Sequence, residues 1–234
     1  MNIAVISDLH LGPGDVSDSF GHRDEDFLKF LRRLESDFER IILLGDVWET
    51  LTSLWPFDPE AGLRRARMAH PDLASRFDRS KYLYIHGNHD IVAGSVERAP
   101  EEILIESDGV RLLFTHGHRH DWLIRQARWL SEWCVWLGAW IRRVGLSALY
   151  QLGNFLDLAM SQPSAHPSRD SFQNWAFSLA EHRNADVVIT GHTHHALRSE
   201  CGSRLFLNSG SCSEGRFSYL AIDTKGDVYD VCNT

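Results

Sequence analysis

Several things this chain lacks limit what it can be. Cysteine is scarce: Cys134, Cys201, Cys212 and Cys232 are scattered through 234 residues with no CxxC pair and no tight zinc spacing. A disulfide scaffold and a thiolate zinc site are thereby excluded, and reduced thiols in a cytosolic protein are the simpler expectation. Long apolar runs are missing too. The longest, from Trp133 to Ile141, falls far short of the ~20 residues that span a bilayer. No basic start followed by an apolar stretch marks a secretory leader, so the expected location is cytoplasmic, with a peripheral position on the inner membrane face open to it. Positive charge is in deficit, with 24 Lys and Arg against 32 Asp and Glu, a net charge of −8. That argues against nucleic acid as a partner. It does not exclude anionic substrates, because bound cations can reverse the local field.

What is present is an ordinary globular chain, 43% hydrophobic and 24% charged, able to bury its own core. Short apolar runs at Ile3–Ile6, Ile41–Leu44, Tyr82–Ile85, Arg111–Thr115 and Val187–Thr190 read as buried strands, each followed at once by Gly, Asp, His or Ser. Between the first two, Phe27, Phe30, Leu31, Leu34 and Phe38 form one apolar stripe at helical spacing. Strand, helix, strand predicts a parallel right-handed unit. Residues 60–78 read as helical with an interruption at Pro71, and residues 205–231 as short strands with turns at 208–210 and 225–227. Residues 121–183 differ: they read as almost wholly helical and hold six of the eight tryptophans. Gly145 and residues 162–167 divide that region, and Ser168 is the expected cap of its last helix. The expected organisation is a core of 1–120 and 184–234 interrupted by a tryptophan-rich helical lid or insertion at 121–183.

The chemistry lies in the loops that leave the strands. Ser7-Asp8-Leu9-His10, Gly45-Asp46, Gly87-Asn88-His89-Asp90, Thr115-His116-Gly117-His118 and Gly191-His192-Thr193-His194 each sit at a strand's carboxyl end, where α/β sheets bind ligands. Any one block is commonplace, whereas all five in the same context are not. Carboxylate and amide oxygens with imidazoles suit a pair of divalent cations, manganese first, with iron, zinc and cobalt as alternatives. The i, i+2 spacing of Asp8 with His10, and of His192 with His194, puts each pair on one side of the chain as its strand ends. Asp46, alone in its loop, is the candidate to bridge two metals.

Taken in order, these blocks resemble the calcineurin-like metallophosphoesterase superfamily. The resemblance implies an α/β (α+β) fold of two packed mixed β-sheets flanked by helices, a four-layer αββα sandwich. It also implies Asp8, His10, Asp46 and His194 on one metal and Asp46, Asn88, His116 and His192 on the other, with water activated between them as nucleophile. His89 would protonate the leaving group with Asp90 orienting it, and Asn88, His89, His118 and His195 are candidate substrate contacts. Within the superfamily the opening Ser7–Gly12, the run Gly45–Glu49, Leu112–Trp122 and the turn Asn208–Ser211 look most like the UDP-2,3-diacylglucosamine pyrophosphatase group. Where the best-known branch of that group carries arginine, this chain has His89.

The implied substrate is a phosphoester or pyrophosphate, of which a lipid-linked nucleotide sugar is one form. Arg125, Arg128, Arg142 and Arg143 interleave with Trp129, Trp133, Trp136 and Trp140, a composition of helices that lie on lipid. A membrane contact through residues 121–160 is therefore an expectation alongside an ordinary packed lid. The enzymatic alternative is a phosphodiesterase or phosphatase acting on small soluble nucleotides or phosphoproteins. The non-enzymatic alternative is a lipid-binding or scaffold protein on the same fold. The sequence sets no oligomeric state.

Overall fold

In the computed structural model, which describes residues 1–146 and 170–233, ten strands form two five-stranded sheets. In chain order they are β1 (Asn2–Ile6), β2 (Arg40–Leu44), β3 (Tyr82–Ile85), β4 (Glu102–Ser107), β5 (Val110–Thr115), β6 (Val187–Thr190), β7 (Leu197–Cys201), β8 (Arg204–Asn208), β9 (Ser218–Asp223) and β10 (Val228–Asn233). The first sheet runs β10-β9-β1-β2-β3 and the second β4-β5-β6-β8-β7. In each, the three strands β1, β2, β3 or β5, β6, β8 are mutually parallel. Their carboxyl ends open on one edge of the molecule.

The continuous apolar runs arise because both faces of these strands are buried. Alternate side chains enter different cores. Ile3, Val5, Ile42 and Leu44 point between the sheets, where they meet Leu112, Phe114, Val187, Ile189, Leu205 and Leu207. Ala4, Ile6, Ile41 and Leu43 point outward under α1 (Asp24–Asp37), α2 (Pro59–Ala69) and α3 (Pro71–Phe77). Helix α1 buries Phe27, Leu31 and Leu34, the expected stripe, and carries Asp24, Glu25 and Asp26 in its first turn, where the helix dipole favours acids. Pro71 ends one helical run and starts the next, as Pro at a first helical position does. A short α4 (Val92–Val96) follows β3.

Among the described residues, two helices represent the tryptophan-rich region. The first, α5 (Trp122–Arg143), breaks at Ala127, whose backbone is non-helical. The second, α6 (Ser171–Arg183), is capped by Asp170, whose side chain accepts from Phe172 N and Gln173 N. The expected divide at 162–167 and the Ser168 cap lie outside the described residues. Helix α6 packs Phe172, Ala176 and Ala180 on Leu113, Val188 and Phe206 of the second sheet. It is thus the outer layer of the sandwich, although its position in the chain grouped it with the insertion. Helix α5 stays at the rim. It leaves the His118–His120 turn after β5, and its far end is tied to loops that follow β1 and β2. Arg142 donates to Ser17 O and Asp18 O, and Arg143 to Asp15 and Thr52 O. Trp122, Trp129, Trp133 and Trp140 are 70, 64, 40 and 48% exposed and Trp136 is half-buried, so most of this stripe lies outside the core. No helix among the described residues is long and apolar enough to cross a membrane.

Candidate metal centre

The polar blocks converge because the two parallel triplets end side by side and their loops continue to pair. Asp8 N donates to Gly45 O (3.1 Å), His10 N to Asp46 O (2.9 Å) and Gly191 N to His116 O (3.2 Å). Beyond the strand ends the chain turns sharply. Asp8, His10, Asp46, His192 and His194 all have φ between 51° and 69°, the left-handed region that non-glycine residues seldom occupy and that clusters at functional sites. The one-sided arrangement of the i, i+2 pairs therefore comes from left-handed backbone rather than from strand alternation. Two glycines are required by crowding. A Cβ on Gly45, itself at φ +81°, would lie 2.4 Å from the His116 ring, and one on Gly87 would lie 2.2 Å from Asp46 Oδ1.

Three donor groups result. Asp8, His10 and His194 present atoms all within 4.8 Å of one another, as do Asp46, His116 and His192, and also His10, Glu49 and His89. The first two adjoin across Asp46, whose Oδ2 lies 3.2 Å from His116 Nε2 and 4.0 Å from His10 Nε2. His10 Nε2 and His194 Nε2 are 3.4 Å apart. Asp8 Oδ1, Asn88 Oδ1 and His116 Nε2 are buried with no hydrogen-bond partner, although Asp8 Oδ1 and His116 Nε2 have oppositely charged neighbours nearby. Neighbouring groups fix the donors. His116 Nδ1 donates to Leu44 O (2.9 Å), which leaves Nε2 as the ring atom facing Asp46, and Asp8 Oδ2 accepts from Ser7 Oγ and His192 N. Such outer contacts set tautomer and orientation at metal sites.

Electrostatics follow from burial with close counter-charges. Burial pushes the Asp8 carboxyl up, but the His194 and His116 imidazoles outweigh it and hold Asp8 at about 2. Asp46 lies well below the carboxylate range because His116 and His89 likewise overcome its burial. Burial pulls His116 down, yet Asp46 and Asp8 raise it to about 9. His192, buried beside His116, falls to about 4.

The other candidates surround the first two groups. His89 sits by the first group, its ring 4.6 Å from that of His10. Its Nδ1 contacts Glu49 Oε2 at 2.7 Å. Glu49, 4% exposed, is the residue that sequence reasoning passed over; its only signal was a carboxylate three positions after Asp46. Burial pushes Glu49 up, but His89 and His10 hold it at about 2; His89 rises to about 10 against its own burial because of Glu49 and Asp46. Asp90 does not touch the His89 ring. It accepts from Gly87 N (2.6 Å), Val47 N (2.7 Å), Trp48 N (3.2 Å) and Tyr84 Oη (2.6 Å), so it braces the loops, and the carboxylate orienting His89 is Glu49. His118 is buried behind His116, ring centroids 5.7 Å apart. Its burial and the neighbouring His116 press it down to about 3. His195 lies beyond His194 on the wall of an open cavity.

The calcineurin-like phosphoesterase family model matches residues 1–196, and the chain belongs to that family. It is a metal-dependent phosphoesterase, and the three donor groups, Asp8 with His10 and His194, Asp46 with His116 and His192, and His10 with Glu49 and His89, are the places where its described residues could hold metal. A UDP-2,3-diacylglucosamine hydrolase of Blochmanniella pennsylvanica (strain BPEN) is 24% identical over 212 residues, covering 83% of this chain and 79% of that protein. Among solved structures, Vps29 of Chaetomium thermophilum is similar at a TM-score of 0.52 and 15% identity, with 100% of this chain and 94% of that one covered; the likeness is one of fold. An archaeal phosphodiesterase matches at a TM-score of 0.48 and 17% identity over the full length of both chains.

Proposed function

We propose that this protein hydrolyses a phosphodiester or pyrophosphate bond at a centre of two divalent cations, manganese foremost, and that its substrate is a lipid-linked nucleotide sugar of the UDP-2,3-diacylglucosamine type. Asp8, His10, Asp46 and His194 hold one cation, and Asp46, Asn88, His116 and His192 the other. The observation that carries the reading is the orphaned set Asp8 Oδ1, Asn88 Oδ1 and His116 Nε2. A buried polar atom without a partner costs roughly 1–3 kcal/mol, a cost that cation ligation would remove; Asp8 Oδ1 and His116 Nε2 face only other donors of the centre, His194 Nε2 and Asp46 Oδ2, each 3.2 Å away. The donor set fits the group: hard oxygens and imidazoles, with no thiolate.

Bound divalent cations supply the charge that lowers the pKa of water and neutralises phosphate oxygens. The chain's own residues do the rest. Asp46 N and Asp46 O fasten the loop after β2 to Asp90 and to His10 N. His89 N donates to Asp46 Oδ1 at 2.8 Å, fixing the main chain below the ring. With Nδ1 held by Glu49, Nε2 is the atom of His89 that delivers a proton to the leaving oxygen, a general-acid contribution on the order of 10²–10⁴-fold. Glu49 keeps that ring aimed. Asp90, bound to four main-chain amides and Tyr84, braces the loops.

The lipid part of the reading is supported by the name of the Blochmanniella relative and by the exposed tryptophans of α5. Acyl chains would lie against that stripe, and the protein would work in the cytoplasm at the inner membrane face. The core is then 1–120 with 184–234, completed by α6, and the lid is the region containing α5. The test is metal content by elemental analysis, followed by product analysis on lipid-linked pyrophosphates, cyclic nucleotides and phosphoproteins. Turnover of the lipid-linked pyrophosphate with release of a nucleoside monophosphate supports the assignment. Turnover confined to soluble nucleotides or phosphoproteins sinks the lipid substrate, and full activity after exhaustive chelation sinks the metal centre.

A further inference from the structure

A cavity of about 490 Å³ opens beside the metal centre, walled by His194, His195, Arg216, Phe217 and Asn233, with Ser211 and Ser218 on its floor. Its position is informative. His194 belongs to the first donor group, yet its side chain is 41% exposed, against 8% for His10 and 0% for His116. A group attached to phosphorus at the centre leaves most easily past His194, and this cavity lies there. Its volume is within the ~300–1,000 Å³ of ordinary ligand sites, well beyond what a bare phosphate fills.

The floor is closed. Ser211 Oγ donates to Asp8 O (3.1 Å) and Ser218 Oγ to Ser209 O (2.6 Å), so those hydroxyls are engaged in holding the loop. Recognition must come from the walls. Phe217 is held from behind by His22 and Phe30, ring centroids 4.3 and 4.9 Å away, which makes it a rigid aromatic face. Arg216 spends one arm on Glu214 of its own loop (2.6 Å) and is otherwise half exposed, leaving most of a five-donor fork for a ligand. No hydrogen bond among the described residues holds the His195 ring. A fixed phenyl face, a guanidinium and a free imidazole in a protein of net charge −8 form a local site for something planar and anionic. Bases stack on aromatic and guanidinium faces whatever their identity, and Arg pairs with phosphate oxygens.

We propose that this cavity is the subsite for the nucleoside monophosphate half of the substrate, with Phe217 and His195 flanking the base and Arg216 binding its phosphate or ribose. The proposal rests on the phosphoesterase reading above and adds the residues that select a nucleotide. The test is calorimetric binding of uridine and adenosine monophosphates, with inorganic phosphate as reference, to the full chain and to Arg216→Ala and Phe217→Leu, with and without manganese. The expected result is that wild type binds the nucleotides more tightly than inorganic phosphate, and that this preference falls about tenfold in Arg216→Ala. In steady-state assays, the ratio of kcat/KM for a nucleoside-diphosphate-linked substrate to that for bis(p-nitrophenyl) phosphate falls in parallel. Arg216 is exposed, so its variant folds even where Phe217→Leu does not. Equal affinity of wild type for nucleotide and inorganic phosphate overturns the proposal, as does an unaltered preference in Arg216→Ala. Failure of wild type to hydrolyse bis(p-nitrophenyl) phosphate with manganese would strike at the phosphoesterase reading instead, and the binding preference would still decide the subsite.

Discussion

Replacing Glu49 by Gln tests the chemistry most directly, since it removes a charge and leaves the shape. Glu49 is buried, contacts His89 Nδ1 at 2.7 Å and lies 3.5 Å from His10 Nδ1; Oε1 separately takes Leu51 N at 3.0 Å. The amide oxygen can keep the Leu51 contact, and the amide nitrogen then bonds His89 Nδ1 only when that nitrogen carries no proton. What disappears is the charge assistance, and a hydrogen bond to a charged group is worth about 1.5–3 kcal/mol. If that energy holds His89 in its proton-donating pose, kcat falls by roughly 10- to 100-fold, since each ~1.4 kcal/mol is tenfold. KM should move little. The assay compares aryl phosphodiesters of graded leaving-group acidity. A p-nitrophenolate leaves without protonation, whereas phenolate or an alkoxide needs the acid, so the loss should be largest for the poorest leaving group. Metal content should stay at the wild-type level. The reasoning is refuted if Glu49→Gln loses the same factor on every ester, or if it loses bound metal in step with rate, for then Glu49 serves the cage and not the acid.

Three further outcomes are expected. Gly45→Ala, with a Cβ driven into the His116 ring at 2.4 Å and an unfavourable φ of +81°, should lose about 2–4 kcal/mol in chemical denaturation, and an unchanged midpoint would contradict the crowding. His70 bonds Asp24 (2.7 Å) and lies 3.4 Å from Asp18; burial lowers its pKa, but the two carboxylates raise it on balance. A folded-state pKa above the unfolded one means stabilisation that is complete below about 6.5 and lost as pH rises through the raised value. The stability difference between wild type and His70→Gln should therefore be greatest near pH ~6 and shrink toward pH ~9, and a difference that grows with pH would reverse the sign. Arg143→Ala, which cuts α5 loose from Asp15 and Thr52, should raise KM for an acylated substrate about tenfold, ~1.4 kcal/mol, and affect a small diester far less; equal effects would make the tie merely structural.

How much of this was legible in the sequence varied with burial. Strands β1, β2, β3, β5 and β6 announced themselves because both faces pack, making each an unbroken apolar word. Strands β4 and β7 did not. They are edge strands of the second sheet whose residues alternate between partly buried and exposed, as in Glu102–Ser107 and Leu197–Cys201, so their apolar signal is diluted by Glu and Ser. Helix α6 was grouped with the insertion because of its position in the chain; its packing of Phe172, Ala176 and Ala180 on Leu113, Val188 and Phe206 is a long-range contact that its own residues do not announce. At the site, residue types and order were readable, since donors must be Asp, Asn or His. The left-handed backbone of Asp8, His10, Asp46, His192 and His194 was not readable, for nothing in a non-glycine side chain specifies it. Nor was the exchange of roles between Glu49 and Asp90: two carboxylates near one histidine look alike until their partners are known.

That exchange bears on how such a centre is kept. Left-handed backbone at non-glycine residues costs of the order of 1–3 kcal/mol each and survives only where the surroundings over-determine it. The surroundings here are polar and buried. Asp90 gathers amides from the loops after β2 and β3. Asn208 Nδ2 reaches Thr190 Oγ1, Gly191 O and Thr193 Oγ1 below His192 and His194, and Ser7 Oγ links Asp8 to Ser209. None of these braces offers its free electron pairs to the centre, and their hydrogen-bonding capacity is largely used up within the protein. Asp8 Oδ1, Asn88 Oδ1 and His116 Nε2 are the reverse, buried without a hydrogen bond, the first and last facing only other donors of the centre. The site thus divides its labour. Satisfied polar groups hold a strained backbone, and the strained backbone presents unsatisfied ones, which is the arrangement a cation-binding pocket needs if its donors are not to collapse onto one another.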